Sequence, residues 1–255
     1  MKRFIHGAGL ALAVFAIALT LPSLLPPMQA VPAPILLSQN VNFPTPDVTA
    51  PDNRQSATHR GDVCPKDLSP CACPKDLSII PLIPKSNDGL TLAESPTFFA
   101  YVSHPSTQVE FTLQADDGKG TEVYKTTFKV DKPGIVEVSI PDKGSRQKSL
   151  EVQKRYQWSF SVACNDDDPS GNYFVKGFVE RIEPQESLKK DLANPDPMAL
   201  AIAYAKNGIW YDTIRTLAQM RRRTPDDASL RAEWTQLLQS QKLESVADKP
   251  LVQSF

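Results

Sequence analysis

Histidine and an excess of charge of either sign are what this sequence most lacks. Only 3 of its 255 residues are histidine, and 28 Lys and Arg nearly balance 29 Asp and Glu, which leaves a formal net charge of −1. A nearly neutral chain does not favour nucleic acid or an anionic membrane surface as a partner. The scarcity of histidine argues against nucleophilic catalysis, because histidine is the usual base for a serine or cysteine nucleophile.

The sequence also lacks the motifs that usually mark an active site. No Gly-x-Ser-x-Gly motif occurs, and Gly118–Thr121 lies between two predicted strands, which indicates a hairpin turn rather than a phosphate loop. His104 lies beside Pro105 at the end of an aromatic strand, where we expect an exposed turn. We therefore predict no catalytic residue, no cofactor and no metal site.

Carboxylates offer the alternative chemistry. Asp166–Asp168 could hold calcium, but the alternating ligand spacing of a calcium loop is missing, so we expect a solvated turn. Four glutamates fall on predicted strands: Glu110, Glu122, Glu137 and Glu180. Any two that faced each other could act in glycoside hydrolysis. Outward positions of a sheet explain all four as well, so a cell-wall glycan hydrolase stays the alternative to a protein without catalysis.

Long hydrophobic runs are rare, and the one that occurs lies near the amino terminus. Lys2 and Arg3 precede an apolar run over 10–21. This pattern predicts a signal peptide over 1–30 with cleavage after Ala30. The run is short for a spanning helix, which needs about 20 apolar residues, although a retained anchor is the alternative. We expect a periplasmic or secreted protein with no membrane contact beyond the signal.

The few cysteines all lie downstream of the predicted signal, at Cys64, Cys71, Cys73 and Cys164. An even number in an exported protein predicts disulfides rather than metal ligands. Cys-Pro-Lys-Asp-Leu-Ser occurs at 64–69 and again at 73–78, which indicates a tandem duplication that copied one cysteine.

The second copy of the duplicated segment leads directly into an apolar strand. We therefore pair Cys73 with Cys164, a bond that would stabilise the fold by about 4–5 kcal/mol in the chain-entropy model. Cys64 would then pair with Cys71. Four cysteines allow three connectivities, and all three stay open.

Hydrophobic periodicity divides the rest of the chain. The proline-punctuated segment 31–62 is predicted to be a disordered or extended linker. Within 63–183, seven short alternating stretches with turn signals predict an antiparallel β-sandwich of the immunoglobulin or fibronectin type III kind. After 184 the period changes to 3.6, so 184–255 is predicted to be helical. The expected fold class is α+β with the two parts segregated along the chain.

Several aromatic and small residues are assigned structural roles. Leu150 lies six residues before Tyr156, a spacing typical of a sandwich tyrosine whose hydroxyl bonds back to the chain upstream. Trp158 continues the same alternating strand. Gly208 is expected to end one helix in a left-handed conformation. Trp210 and Trp234 lie on the apolar stripes of the two helices that follow.

The helical stretch resembles one tetratricopeptide unit within Met198–Arg231. The matching positions are Tyr204, Gly208, Trp210, Leu217 and Pro225, whereas Thr213 stands where the family prefers alanine. One repeat cannot bury its own apolar face, so the hairpin must pack on the sandwich or on a partner. A plain helical hairpin is the alternative.

Longer segments resemble a family of exported proteins found mostly in cyanobacteria, domain-of-unknown-function family 928. The resemblance covers about 61–250, and its most specific part is the string Gly208–Asp212. The other matching segments are Cys73–Pro84, Ser95–Val102, Pro133–Val136, Tyr156–Cys164 and Ala203–Gly208. The duplicated cysteine segment departs from the family pattern, which leaves Cys64 and Cys71 without an implied role. The resemblance implies no activity.

These observations predict a non-enzymatic envelope protein that binds a protein or glycan partner. The chemistry-bearing residues are few, and both predicted folds often serve in binding, which is an argument by fold analogy. The alternatives are a carboxylate-dependent hydrolase of cell-wall glycans and a purely structural envelope component.

Overall fold

Strands come first along the chain and helices follow, except for one strand at the carboxyl terminus. The computed structural model describes residues 41–44, 76–141, 149–162 and 172–255. Within these ranges the strands are β1 Ile79–Pro81, β2 Asp88–Thr91, β3 Thr97–Val102, β4 Thr107–Ala115, β5 Glu122–Val130, β6 Gly134–Ser139, β7 Arg155–Val162, β8 Tyr173–Arg181 and β9 Leu251–Ser254. The helices are α1 Glu186–Asp191, α2 Pro197–Lys206, α3 Trp210–Arg223 and α4 Ala228–Ser240.

The strands form two mixed sheets, and with the helices they make an α+β fold. One sheet has the order β1-β3-β6-β9 and the other the order β2-β8-β7-β4-β5. The expectation of purely antiparallel sheets is wrong for two pairs, since β2 pairs with β8 and β6 pairs with β9 in parallel. Both parallel partners are short edge strands reached through long connections, which parallel pairing requires.

Two strands had not been predicted. β2 contains Asp88 and Gly89, residue types that are depleted in strands. β9 follows the helices, so the expectation of a helical region up to residue 255 is wrong for its last residues. Phe255, directly after β9, stacks on Phe128 of β5 with ring centroids 4.0 Å apart.

The inner faces of the two sheets meet in an aromatic core. Alternate residues of β4, β7 and β8 are buried, as half-buried strands require. Phe98 of β3 lies 5.0 Å from the ring of Phe111 and 5.8 Å from that of Trp158, both on the other sheet. This contact places the main core between the sheets.

The helices share one compact unit, Leu36–Phe255, with the strands. Asp196 caps α2 by accepting a hydrogen bond from the Ala199 backbone N–H at 2.9 Å. Asp227 caps α4 in the same way through Ser229 and Leu230. Both capped helices pack on α3, and α3 packs on β2 and β3, which supplies the tertiary packing that stabilises helices in proteins.

Part of the predicted linker belongs to the fold. Residues 41–44 are described, and Val41 and Phe43 are buried. The expectation that 31–62 serves only as a spacer is thus corrected for this stretch. Its two apolar side chains alternate with exposed ones, a signal too short to stand out among prolines and polar residues.

Some predictions concern residues outside the described ranges. These are the signal peptide over 1–30, the four cysteines with their pairing, and the acidic turn at 166–168. No helix among the described residues is long and apolar enough to cross a membrane.

Candidate functional site

The string Gly208–Asp212 joins the helices to the sheets. Gly208 has a φ of 70°, the left-handed conformation that lets the chain leave α2 and turn into α3. Ile209 is fully buried. Trp210 is also buried, and its indole N–H donates to the Leu82 carbonyl at 2.9 Å. Gly208, Ile209 and Trp210 therefore have structural roles, in the turn and in the packing of the core.

Tyr211 inserts its side chain between α3 and the five-stranded sheet. Its hydroxyl accepts a hydrogen bond from Trp158 Nε1 at 2.6 Å and donates one to the Phe178 carbonyl at 2.8 Å. Burial raises the pKa of this phenol well above its ordinary value. Gly89 lies against the ring, where a Cβ would come within 2.8 Å of Tyr211 Cε2. The phenol is therefore a fixed neutral structural group.

Asp212 closes the junction as a buried carboxylate. Its Oδ2 accepts hydrogen bonds from Thr91 Oγ1 at 2.8 Å and from the Leu92 backbone N–H at 3.0 Å. Burial raises the pKa of Asp212, against the opposing effects of these hydrogen bonds and of Arg215. The residue thus anchors α3 to the end of β2.

A cleft of about 290 Å³ opens beside Asp212, between α2 and α3. Its polar lining residues are Tyr204, Asp212, Arg215, Thr216, Gln219 and Arg223. Thr216 Oγ1 donates to the Asp212 backbone carbonyl at 2.7 Å, so this hydroxyl is already engaged as a donor. Burial raises the pKa of Tyr204. The cleft combines two cations with a neutral phenol, and it offers no nucleophile beside a base.

A second cavity, of about 270 Å³, lies at the β2 edge of the five-stranded sheet. Phe43, Pro44 and Gly208 line it together with two carboxylates, Asp88 and Glu180. Asp88 Oδ2 forms an ion pair with Arg155 at 2.8 Å. Glu180 pairs in register with Arg155 across β7 and β8.

The solvent face of the five-stranded sheet carries uncharged polar groups and two phenylalanines, together with charged residues that include Glu110 and Lys176. We call this surface the outer face and define it by Thr112, Gln114, Gln157, Ser159, Ser161, Phe174 and Phe178. Ser161 pairs in register with Phe174, and Gln157 pairs with Phe178. Among the described residues, Phe174 is the one large hydrophobic side chain that is exposed, at 40%.

Contacts along the outer face keep it ordered. Thr112 Oγ1 and Ser159 Oγ lie 2.7 Å apart and share a hydrogen bond. The Arg155 guanidinium covers one side of the Phe178 ring at 3.7 Å from its centroid. The outer face therefore presents a preformed row of hydroxyl and amide groups with an aromatic edge.

The residues predicted as structural occupy core positions. Leu150, Tyr156 and Trp158 are buried, and the Tyr156 hydroxyl accepts a hydrogen bond from the Glu151 backbone N–H at 2.9 Å. Trp234 is fully buried on α4. The guanidinium of Arg221 lies 4.8 Å from its ring centroid. Burial, followed by repulsion from Arg231, lowers the pKa of Arg221.

Of the four glutamates named from the sequence, Glu110 and Glu137 pair with basic residues rather than with another carboxylate. Glu110 forms an ion pair with Lys125 at 2.8 Å, and Glu137 forms one with Arg222 at 3.1 Å. Glu122 is exposed on β5. His104 Nε2 lies 2.9 Å from Asp76 Oδ1. Only Glu180 shares a cavity with a second carboxylate, that of Asp88, which sequence reasoning missed because Asp88-Gly89 is typical of a turn.

No group of three His, Cys, Asp or Glu that could hold a metal ion occurs among the residues that the structure describes. Asp212 and the two cleft arginines were also missed. Their only sequence signal is the family-like string and its helical continuation, and neither pattern states which polar residue is buried.

Two solved structures show distant similarity to this chain. A β-glucuronidase from Parabacteroides merdae matches at 10% identity and a TM-score of 0.24, over 68% of this chain and 33% of that one. The same enzyme with glycerol in its active site matches at 10% identity and a TM-score of 0.22, over 68% and 32%. This chain thus spans about a third of the enzyme, and the folds differ too much for its chemistry to be carried over.

Sequence comparison gives the family. No curated protein matches the chain. A family model described as Domain of Unknown Function (DUF928) matches residues 55–251, which include both sheets' central strands and all four helices. The chain belongs to this family of unknown function.

Proposed function

We propose that this protein is a non-catalytic binding module of the cell envelope that recognises a neutral glycan through its outer face. The observation that supports the proposal is the exposed ring of Phe174 beside a row of hydroxyl and amide side chains. A pyranose ring has one face of C–H groups and a rim of hydroxyls. An aromatic edge next to side chains that both donate and accept hydrogen bonds is complementary to such a ring.

The extent of the outer face across neighbouring strands favours a polymer over a small metabolite. The row runs across three neighbouring strands, from Phe178 through Gln157 to Gln114. Charged side chains lie on this face as well: Glu110 and Lys125 form an ion pair, and the exposed Lys176 pairs in register with Ser159. A short stretch of neutral chain laid along this row would meet uncharged polar groups in sequence.

The test is titration of the full chain with N-acetylglucosamine oligomers and with neutral glucan oligomers. Phe174→Ala and Gln157→Ala are each expected to weaken binding about tenfold or more, since a contact of about 1.4 kcal/mol corresponds to that factor. Gln239→Ala, at an exposed position of α4, is the matched control for Gln157→Ala and should bind normally. Equal affinity for all three variants would contradict the proposal.

The finer fold and the compartment are part of the same proposal. We infer a sandwich of the immunoglobulin kind, a tetratricopeptide-like α2–α3 hairpin, and export with Cys73 bonded to Cys164. The hydrogen bond from the Glu151 N–H to the Tyr156 hydroxyl supports the sandwich, because a tyrosine corner makes such a bond. Mass spectrometry of the non-reduced native protein should show cleavage after Ala30 and no free thiol. Free thiols would contradict the pairing.

A hydrolase of cell-wall glycans is the second candidate, favoured by one observation. Asp88 and Glu180 line the same cavity, as a carboxylate pair for glycoside hydrolysis must. The ion pair of Asp88 with Arg155 fits a structural role better. Release of reducing ends from purified peptidoglycan decides the matter. Activity that both Asp88→Asn and Glu180→Gln abolish would support the hydrolase.

A further inference from the structure

The groove that holds residues 41–44 has the features of a peptide-binding site. Val41 and Phe43 are 1% and 8% exposed, whereas Asn42 and Pro44 are exposed. Alternation with a period of two is that of an extended peptide whose every second side chain enters a pocket. These four residues lie before the part of the chain that matches the family, which begins at residue 55.

The first half of the segment binds α4. The Val41 backbone N–H donates to Glu233 Oε2 at 2.9 Å, and Glu233 is fully buried. Gln236 Nε2 donates to Asn42 Oδ1 at 3.2 Å. Glu233 and Gln236 are three residues apart, so they lie on one face of the helix. A buried carboxylate that accepts a main-chain N–H reads the peptide backbone rather than a particular side chain.

The second half of the segment binds the start of α3. The Phe43 ring meets the Trp210 ring edge to face, with centroids 5.0 Å apart and an interplanar angle of 84°. Pro44 lies beside Gly208, where a Cβ would be 3.9 Å from Pro44 Cγ. Trp210 is itself held by its bond to the Leu82 carbonyl. The Trp210 side of the groove is therefore held by a contact that does not involve the segment.

We propose that this groove, formed by Gly208, Trp210, Glu233 and Gln236, is a recognition site for an extended Val-x-Phe-Pro peptide. Residues 41–44 occupy it in cis as its resident ligand. A tether of moderate length gives an effective concentration of about 1 mM, so the resident segment excludes weak competitors in trans. Loss of its two anchors would open the groove to the same sequence supplied as a free peptide. This inference does not depend on the proposed glycan binding.

The experiment uses the full chain and a fluorescent peptide of residues 39–46. The double variant Val41→Ala/Phe43→Ala is expected to bind the peptide saturably, with an apparent affinity at least about tenfold above that of the unchanged chain. Val123→Ala/Phe174→Ala, which removes the same two residue types from the five-stranded sheet and keeps both anchors, is the matched control and should resemble the unchanged chain. A peptide with alanine in place of its Val and Phe should not bind. Equal binding by the double variant and the unchanged chain would overturn the proposal.

Hydrogen exchange of the unchanged chain covers the case in which the double variant does not fold. The Val41 amide should exchange at least about tenfold slower than in the free peptide, yet faster than the amides of α3, because a docked segment opens without global unfolding. Exchange as slow as that of α3 would make the segment an inseparable part of the core. Exchange as fast as in the free peptide would show that it is not docked. Either result overturns the proposal.

Discussion

The Gly208–Asp212 junction and the outer face use opposite surfaces of the same five-stranded sheet. The junction contacts the inner surface, where Tyr211 bonds to the buried Trp158. The outer face begins one residue away on β7, at Gln157 and Ser159. The junction is the string on which the resemblance to the family most depended, and it consists of packing contacts, whereas the outer face has no sequence motif. Residues that carry a family resemblance therefore do not by themselves mark a functional site.

The difference between these regions predicts opposite responses to mutation. Junction substitutions should lower the free energy of unfolding and alter ligand binding only through unfolding. Outer-face substitutions should leave stability unchanged and alter binding directly. Four measurements test this contrast.

Trp210→Ala should have the largest effect. It empties a fully buried indole site and leaves the Leu82 carbonyl without its donor. We expect a loss of about 3–5 kcal/mol in the free energy of unfolding, measured by urea denaturation. Trp210→Phe, which keeps much of the ring volume, should lose clearly less. A near-neutral Trp210→Ala would show that the junction is not a stabilising contact.

Tyr211→Phe should cost about 1–3 kcal/mol, because it leaves the buried Trp158 N–H without an acceptor. Its volume change is small, so the loss reports on hydrogen bonding rather than packing. Tyr101→Phe on the half-buried side of β3 is the control and should stay within about 0.5 kcal/mol. Equal losses for the two variants would contradict the assigned bond.

Asp212→Asn should alter how the free energy of unfolding varies with pH more than it alters the free energy of unfolding at acid pH. Burial raises the pKa of Asp212 above its ordinary value of 3.8, so the folded state binds its proton more tightly than the unfolded state does. The wild-type contribution is therefore fully present below pH 3.8 and is lost as the pH rises through the raised pKa. The stability of wild type relative to Asp212→Asn should fall over that window. A relative stability that rises with pH there would contradict the assignment.

Phe174→Ala should change stability least, by less than about 0.5 kcal/mol, since Phe174 is exposed, at 40%, on the surface of the sheet. Thermal unfolding measures this, and glycan titration of the same sample measures binding. A large loss of stability would indicate that the outer face belongs to the core. If neither stability nor binding changed, the outer face would not be the binding surface, and the contrast between the two regions would not hold.

Periodicity predicted most of the strands, since alternation in β4, β7 and β8 reports directly which side is buried. It could not predict β2, whose Asp88-Gly89 opening is typical of a turn and which extends only because β8 offers it an edge. It could not predict the direction of pairing, because alternation is the same in parallel and antiparallel strands. Val41 and Phe43 were missed because two apolar residues among prolines carry no measurable period.

The candidate sites were likewise predictable from the sequence only in part. Glu180 was named from its strand position, but its neighbour Asp88 comes from a distant part of the chain. The outer face was implicit in the polar half of each alternating strand, yet the side-by-side order of Phe178, Gln157 and Gln114 depends on register. A one-residue shift would turn every one of these side chains to the core.

The sequence alone determined the α+β class and the strand-then-helix order, because hydrophobic period is a local property. Tertiary structure decided the parallel edge pairs, the burial of Asp212 and the docking of residues 41–44 on α3 and α4. Each of these joins residues far apart along the chain, and their contact energies exist only after the chain has folded. Local patterns state what a segment can form, whereas its partner is selected by the packing of the whole unit.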